Sequence, residues 1–343
     1  MQGQANVAAA LVVVAAGLIH GSFALPMKKL KLWKWENIWL VYSVAGLVFV
    51  PALLAFFSVP ELGSVYANTP ASNIALVALF GFGWGLGSTL FGLGIAQLGL
   101  ALGFAIILGI TSSVGSLLPL LISNPSELAT RRGVTLLAGL AVAIAGIVAC
   151  SIAGAQREKD QKGGAAADAG GRKSFLSGLL ICLASGILSP MLNFGFVYGK
   201  PLQDAATSLG ARPDLASTVI WVPALAGGFL PNAGYALYLL SKNRTWAVYR
   251  EAGAPASYWP LAAAMGLMWF GGIAVYGVGA AAMGSPLGAV VGWPVFMSMV
   301  IVTANVWGAL TGEWEGAGSR ARTLSWLGVA ILIAAIVVIA QVS

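Results

Sequence analysis

His20 is the chain's one histidine, and it falls inside a long apolar run. An imidazole titrates near neutrality, so it can take up and release a proton there. Ionisable groups at membrane depth are functional candidates by default. The ordinary alternative is a neutral ring bonded to a backbone carbonyl, and the following Lys28, Lys29, Lys31 and Lys34 oppose its protonation. Glu36 and Glu313 are the acids nearest the ends of apolar runs, each beside a tryptophan. They are rival proton sites if they face an interior cavity; pairing with Lys34, Arg320 or Arg322 is the ordinary fate of such residues. Four amides also lie in apolar surroundings: Gln97, Asn193, Asn232 and Asn305. An amide both donates and accepts, which suits a hydroxyl-bearing solute. Bonding between helices is the competing use.

These residues are positioned by a stretch the chain contains twice. Trp84 to Gly103 matches Trp269 to Gly288 at a constant offset of 185 positions, with the pattern W-x6-[FY]-G-x-G-x-A-x-[LM]-G-x2-L-G. Phe91 stands opposite Tyr276, Gly99 opposite Gly284, and Ser113 matches Ser298 at the same offset. Paired stretches in two halves of an apolar chain are the trace of a transporter built from internal repeats. Trp84 and Trp269 lie well inside their runs and are expected to face one another across a central cavity. Trp33, Trp35 and Trp39 suit the aromatic belt at a membrane surface. Hydroxyls such as Thr111, Ser112 and Ser116 often bond back to their own helix.

Composition agrees. Of 343 residues, 59% are hydrophobic and 8% charged, against roughly 25% charged in soluble domains. Apolar runs long enough to span a bilayer follow one another, and in lipid they must be helices. The sequence predicts an all-α polytopic membrane protein with ten spans: 6–25, 37–58, 73–97, 101–122, 133–154, 174–198, 215–240, 258–282, 286–310 and 322–342. The 45 glycines fit close helix packing, and Cys150 and Cys182 read as small apolar fillers. Fourteen of the eighteen lysines and arginines follow odd-numbered spans. Those loops are therefore expected in the cytoplasm and both termini outside. Residues 155–173 form a cytoplasmic linker between a first five-helix repeat, 1–154, and a second, 174–343. Five is odd, so the second copy enters with opposite orientation: a five-plus-five inverted repeat.

Ten spans in this arrangement resemble the drug/metabolite transporter superfamily, and within it the L-rhamnose–proton symporter family. The resemblance is carried by Ala24–Lys29 (A-L-P-M-K-K), Trp33-x-Trp35-Glu36, Trp39, Phe80-Gly81…Trp84-Gly85-x-Gly87, Gly227-Gly228…Asn232-x-Gly234, Trp269 with Tyr276, and Glu313-Trp314. It implies inward movement of a deoxyhexose coupled to a proton, with sodium as the other conceivable ion, across a bacterial-type inner membrane. Small members of the superfamily use a glutamate in the first helix; this chain has none there, so the proton carrier is argued from His20, Glu36 and Glu313. A sugar needs flat apolar walls and a few fixed hydrogen-bonding groups. Trp84 and Trp269 would be the walls. Asn193, Asn232, Gln97 and Asn305 would meet hydroxyls, and Tyr276 would add one where Phe91 has none.

Other classes fare less well. Export or exchange of another small metabolite is the nearest rival, although a cation exporter would want an acid in the first span. A non-transporting receptor or scaffold would not need a repeat with polar groups near mid-span. No Walker, HExxH or dinucleotide-fold motif is present, so neither an enzyme nor a cofactor is expected. The net charge of +7 is read as membrane orientation, not nucleic-acid binding.

Overall fold

The computed structural model describes residues 2–98, 100–161, 172–250, 255–284 and 287–342, and among them the chain is helical without strands. α1 (Gln2–Gly21) leads through a 3-10 turn (Leu25–Lys29) to α2 (Trp35–Val44), which passes through a π turn (Ala45–Phe49) into α3 (Val50–Ser58). The short α4 (Leu62–Asn68) precedes α5 (Ala71–Leu98), α6 (Leu100–Ser123) and α7 (Arg131–Gln161). The second half holds α8 (Arg172–Leu188), α9 (Met191–Tyr198), α10 (Lys200–Ser208), α11 (Thr218–Lys242), α12 (Tyr258–Met283), α13 (Leu287–Leu310) and α14 (Ser319–Ala340).

Among the described residues, nine segments are long and apolar enough to cross a bilayer. The expected seventh span, α11, is a helix of 25 residues, but Pro223, Pro231, Asn232 and its glycines hold its apolarity down. The expected sixth span is not one helix. It breaks between α8 and α9 at Ser189–Pro190 and continues through α10 to Ser208, because proline lacks the N–H to continue the ladder. α7 outlasts its predicted end at 154. Gln161 donates to the carbonyls of Glu313 and Glu315, and Asp160 accepts from the Gly318 N–H, so its last turns are tied to the α13–α14 loop. The rest of the expected linker, 162–171, and Gly99 of the repeat lie outside the described residues.

Glycine sets the closest approaches. A Cβ on Gly46 would lie 2.7 Å from the Gly266 Cα, so α12 meets the second span backbone to backbone. Gly81 of α5 is pressed in the same way on the Ala224 carbonyl of α11. Gly272 lies against Ala16 and His20 of α1, and its repeat partner Gly87 against Leu188 and Ser189. In lipid, such close contact supplies the association that apolar surface alone does not. Phe56, Phe57, Leu11 and Leu79, each more than half exposed, face outward.

The prolines leave a second signature. Proline frees the carbonyl four residues before it, and in lipid that oxygen needs a new donor. Tyr66 donates to the Val219 carbonyl ahead of Pro223 (2.9 Å), and Ser116 to Val290 ahead of Pro294 (2.5 Å). Asn193 donates to Gly115 ahead of Pro119 (2.9 Å), and Thr111 to Gly186 ahead of Pro190 (3.4 Å). Each donor comes from another helix. Thr111 and Ser116 therefore do not bond back to their own helix, as hydroxyls on a helix often do.

Candidate functional site

The last turn of α1 carries His20 into the middle of the bundle. Its ring centroid lies 5.2 Å from that of Trp269 on α12, 5.1 Å from Phe296 on α13 and 5.8 Å from Phe23. His20 Nδ1 is 2.9 Å from the Trp269 carbonyl oxygen. A carbonyl only accepts, so Nδ1 carries the hydrogen and Nε2 of the neutral ring is the acceptor. This combines the ordinary neutral, carbonyl-bonded histidine with a nitrogen still able to take a proton.

Trp84 of α5 packs directly on Trp269, with centroids 5.0 Å apart and planes at 33°. That is the spacing of an aromatic pair in contact. The two tryptophans do face each other, but closed on one another; no sugar ring fits between them here. Trp39 extends the cluster. Its indole N–H donates to Asn232 Oδ1 (3.1 Å), Ser88 donates to the same oxygen (3.3 Å), and Asn232 Nδ2 returns to the Gly228 carbonyl (2.9 Å). Trp39 is thus part of the interior and not of a surface belt. Trp33, 4% exposed, is also inside, edge-on to Tyr249, Tyr258 and Trp259.

A second polar centre is sealed. Tyr276 and Asn193 are both fully buried, and the phenol donates to Asn193 Oδ1 at 2.5 Å. Phe196, Trp293 and Phe296 pack around the Tyr276 ring. The Asn193 amide nitrogen is occupied by the Gly115 carbonyl, with that of Ala289 at 3.5 Å.

Beside the aromatic centre lies a cavity of about 450 Å³ between α5, α6, α7 and α13. Phe23 lines it and so connects it to His20; Phe91, Asn305, Arg157, Glu313 and Trp314 line it further out. At its mouth Glu313 bonds Lys28 (2.5 Å) and Arg157 (3.1 Å), and Lys28 also bonds Thr311. The expected partners Arg320 and Arg322 are replaced by charges from the α1–α2 segment and α7. Burial pushes the Glu313 carboxyl up, but hydrogen bonding and charge from Lys28 and Arg157 outweigh it and hold it below its usual range. Asn305 ties α13 to α14, its Nδ2 on the Ile301 carbonyl and its Oδ1 accepting from Ser325.

The remaining candidates stand apart. Gln97 is exposed at the end of α5, beside Gly178. Glu36 is 5% exposed but faces the end of α11, where Oε1 accepts from Asn243 (3.0 Å) and Thr245 (2.8 Å). Sequence reasoning missed Phe296, Trp293 and Arg157 at these centres. The position of Trp293, which matches Leu108 at the repeat offset, was a readable signal.

Comparison with known proteins shows the family. Residues 6–343 match the model of a family described as L-rhamnose-proton symport protein. Proteins named L-rhamnose-proton symporter from Klebsiella pneumoniae, Escherichia coli and an Enterobacter species are 32%, 28% and 31% identical to the chain. Each alignment covers 91% of both sequences.

Proposed function

This chain belongs to the L-rhamnose–proton symport family, and from that premise we propose that it imports L-rhamnose, or a closely similar deoxyhexose, together with a proton. It works by alternating access as a ten-span inverted repeat in a bacterial-type inner membrane, with both termini outside. The observation that carries the cycle is an asymmetry between matched positions. Phe91 and Leu108 line an open cavity at one end. Their counterparts Tyr276 and Trp293, 185 positions on, are buried against each other at the other end. The scaffold thus carries a cavity of about 450 Å³ at one end and clefts of about 160 and 180 Å³ at the other, an asymmetry expected of one state in a rocking cycle.

The two-fold internal repeat is supported by exchanged packing partners, and its inversion by the odd number of spans in each half. α1 packs on α12 and α13, and α8 on α5 and α6. α5 packs on α11, and α12 on α2; α6 packs on α7, and α13 on α14. Each pair maps to the other when the halves are swapped. Orientation is supported by charge. Lys28, Arg157 and Glu313 meet at one end, while Val342 near the C-terminus shares a cleft with Asn124 and Arg132 at the other. In this reading the open cavity faces the cytoplasm.

His20 is the proton-exchanging group, with Nε2 as the receiving atom; Glu36 and Glu313 are already held by fixed partners. Trp84 and Trp269 form the central contact that must part to pass the sugar, and Asn232, bonded to Trp39 and Ser88, is the polar group of the adjoining α5–α11 seam. The test is uptake of labelled L-rhamnose by purified protein in liposomes with an acidic exterior. Accumulation that collapses with a protonophore supports the reading. No uptake, or uptake driven by a sodium gradient and indifferent to protonophore, overturns it.

A further inference from the structure

The cavity between α5, α6, α7 and α13 has the chemistry of a binding site in its own right. Its volume, about 450 Å³, lies in the range of small-ligand pockets. Phe91 and Phe104 pack edge to face at 5.1 Å and give an apolar wall on the inner side. Across from them are groups with unspent hydrogen-bonding capacity. The Arg157 Nε is buried without a partner, although the same guanidinium bonds Glu313 and lies 5.1 Å over the Trp314 ring. A buried N–H without an acceptor is costly and is normally filled by a ligand or water. Asn305 uses one amide hydrogen and one oxygen lone pair on protein partners, and keeps a second of each. Glu313 has further lone pairs beyond Lys28 and Arg157. An apolar wall facing an arginine, an amide and a carboxylate suits a neutral polyhydroxylated ring with one less polar face.

We propose that this cavity is a second sugar subsite, where the deoxyhexose rests on the Lys28–Glu313 side after leaving the closed Trp84–Trp269 contact. Phe91 and Phe104 take the apolar face, and Arg157, Asn305 and Glu313 bind hydroxyls. The inference rests on the sugar-transport reading and locates the sugar within it. At the matched positions of the other half, Tyr276 and Trp293 are buried against each other, and the cleft beside Ala289, the counterpart of Phe104, holds about 160 Å³.

Cys150 lines the cavity, whereas Cys182 is fully buried against Gly94, away from it. Purified full-length protein is treated with N-ethylmaleimide with and without L-rhamnose, and each cysteine is followed by peptide mass spectrometry. L-rhamnose should slow labelling of Cys150 about tenfold and leave Cys182 unchanged. Arg157→Lys keeps a cation for Glu313 but removes the Nε–H, and should raise the sugar concentration for half-protection about five- to tenfold. Asn305→Ala should do the same. Cys150 labelling that proceeds equally with and without sugar overturns the subsite; where the Cys150 thiol, packed against Gly328 of α14, does not react, the same comparison on Gly154→Cys, at a glycine that lines the cavity, decides it. Protection unaffected by both variants also overturns the subsite. Proton-driven uptake measured on the same protein separates the two claims. Uptake without protection removes the subsite alone; neither uptake nor protection removes the transport reading with it.

Discussion

Tyr276→Phe isolates one hydrogen bond at the packed end of the bundle. The substitution keeps the ring that packs on Phe196, Trp293 and Phe296, so little apolar burial is lost. It removes the donor to Asn193 Oδ1, and both residues are fully buried. An acceptor left unpaired in a sealed site costs about 1–3 kcal/mol in soluble proteins. Hydrogen bonds between membrane helices average nearer ~0.6 kcal/mol, with a maximum of ~1.7, because the unfolded chain finds partners in lipid too. A fully enclosed pair belongs at the upper end, about 1–2 kcal/mol. Asn193→Ala should cost more, because it strands the Tyr276 hydroxyl and also the Gly115 carbonyl that Pro119 has freed. The double variant should be less destabilised than the sum of the two, by about the value of the shared bond. The assay is reversible unfolding of purified protein in mixed detergent micelles. A Tyr276→Phe change below about 0.5 kcal/mol, within the range of neutral surface substitutions, or strict additivity in the cycle, would refute the reasoning.

Other expectations follow from the same contacts. His20→Ala should abolish proton-driven accumulation while sparing counterflow; accumulation left intact moves the proton role to another group. In the proposed cycle Asn232 leaves Trp39 and Ser88 to meet a sugar hydroxyl, so Asn232→Ala should weaken L-rhamnose binding by about 1–3 kcal/mol; an unchanged dissociation constant by calorimetry counts against it. Glu313 has a lowered pKa, so its pairing with Lys28 and Arg157 contributes fully above its ordinary value of 4.5 and is lost only as pH falls through the lowered one. Glu313→Gln should therefore leave the shape of the stability–pH curve between pH 6 and 8, taken as about the working range, unchanged; a new slope there contradicts the assignment. Gly46→Leu has no room against the Gly266 backbone, and should yield little monodisperse protein on size exclusion.

Much of the architecture was legible because glycines repeat at fixed spacing where helices touch: Gly87 and Gly272 each seat a neighbouring helix. What was not legible was which face of each helix points inward. In water, polar residues mark the outside; here Phe57, which is exposed, and Phe296, which is buried, carry the same apolar signal. Hence Trp33 and Trp39 read as a belt, and Trp293 and Phe296 went unnoticed. Pairings such as Tyr276 with Asn193 join residues on different helices, which no local spacing records. The break at Pro190 was visible as a proline, but its extent depended on Thr111 being in place to take the freed carbonyl.

That arrangement of carbonyls has a mechanical consequence. A proline kink whose loose oxygen is held by its own helix bends independently of its surroundings. Here the oxygens ahead of Pro119, Pro190, Pro223 and Pro294 are gripped by Asn193, Thr111, Tyr66 and Ser116 from other helices. Bending at any one of them pulls on a neighbour. The kinks therefore act less as separate joints than as a linkage, in which α6 holds a carbonyl on α8 and another on α13 and transmits displacement between them. A bundle wired in this way moves in few coordinates, which favours two discrete arrangements over a continuum.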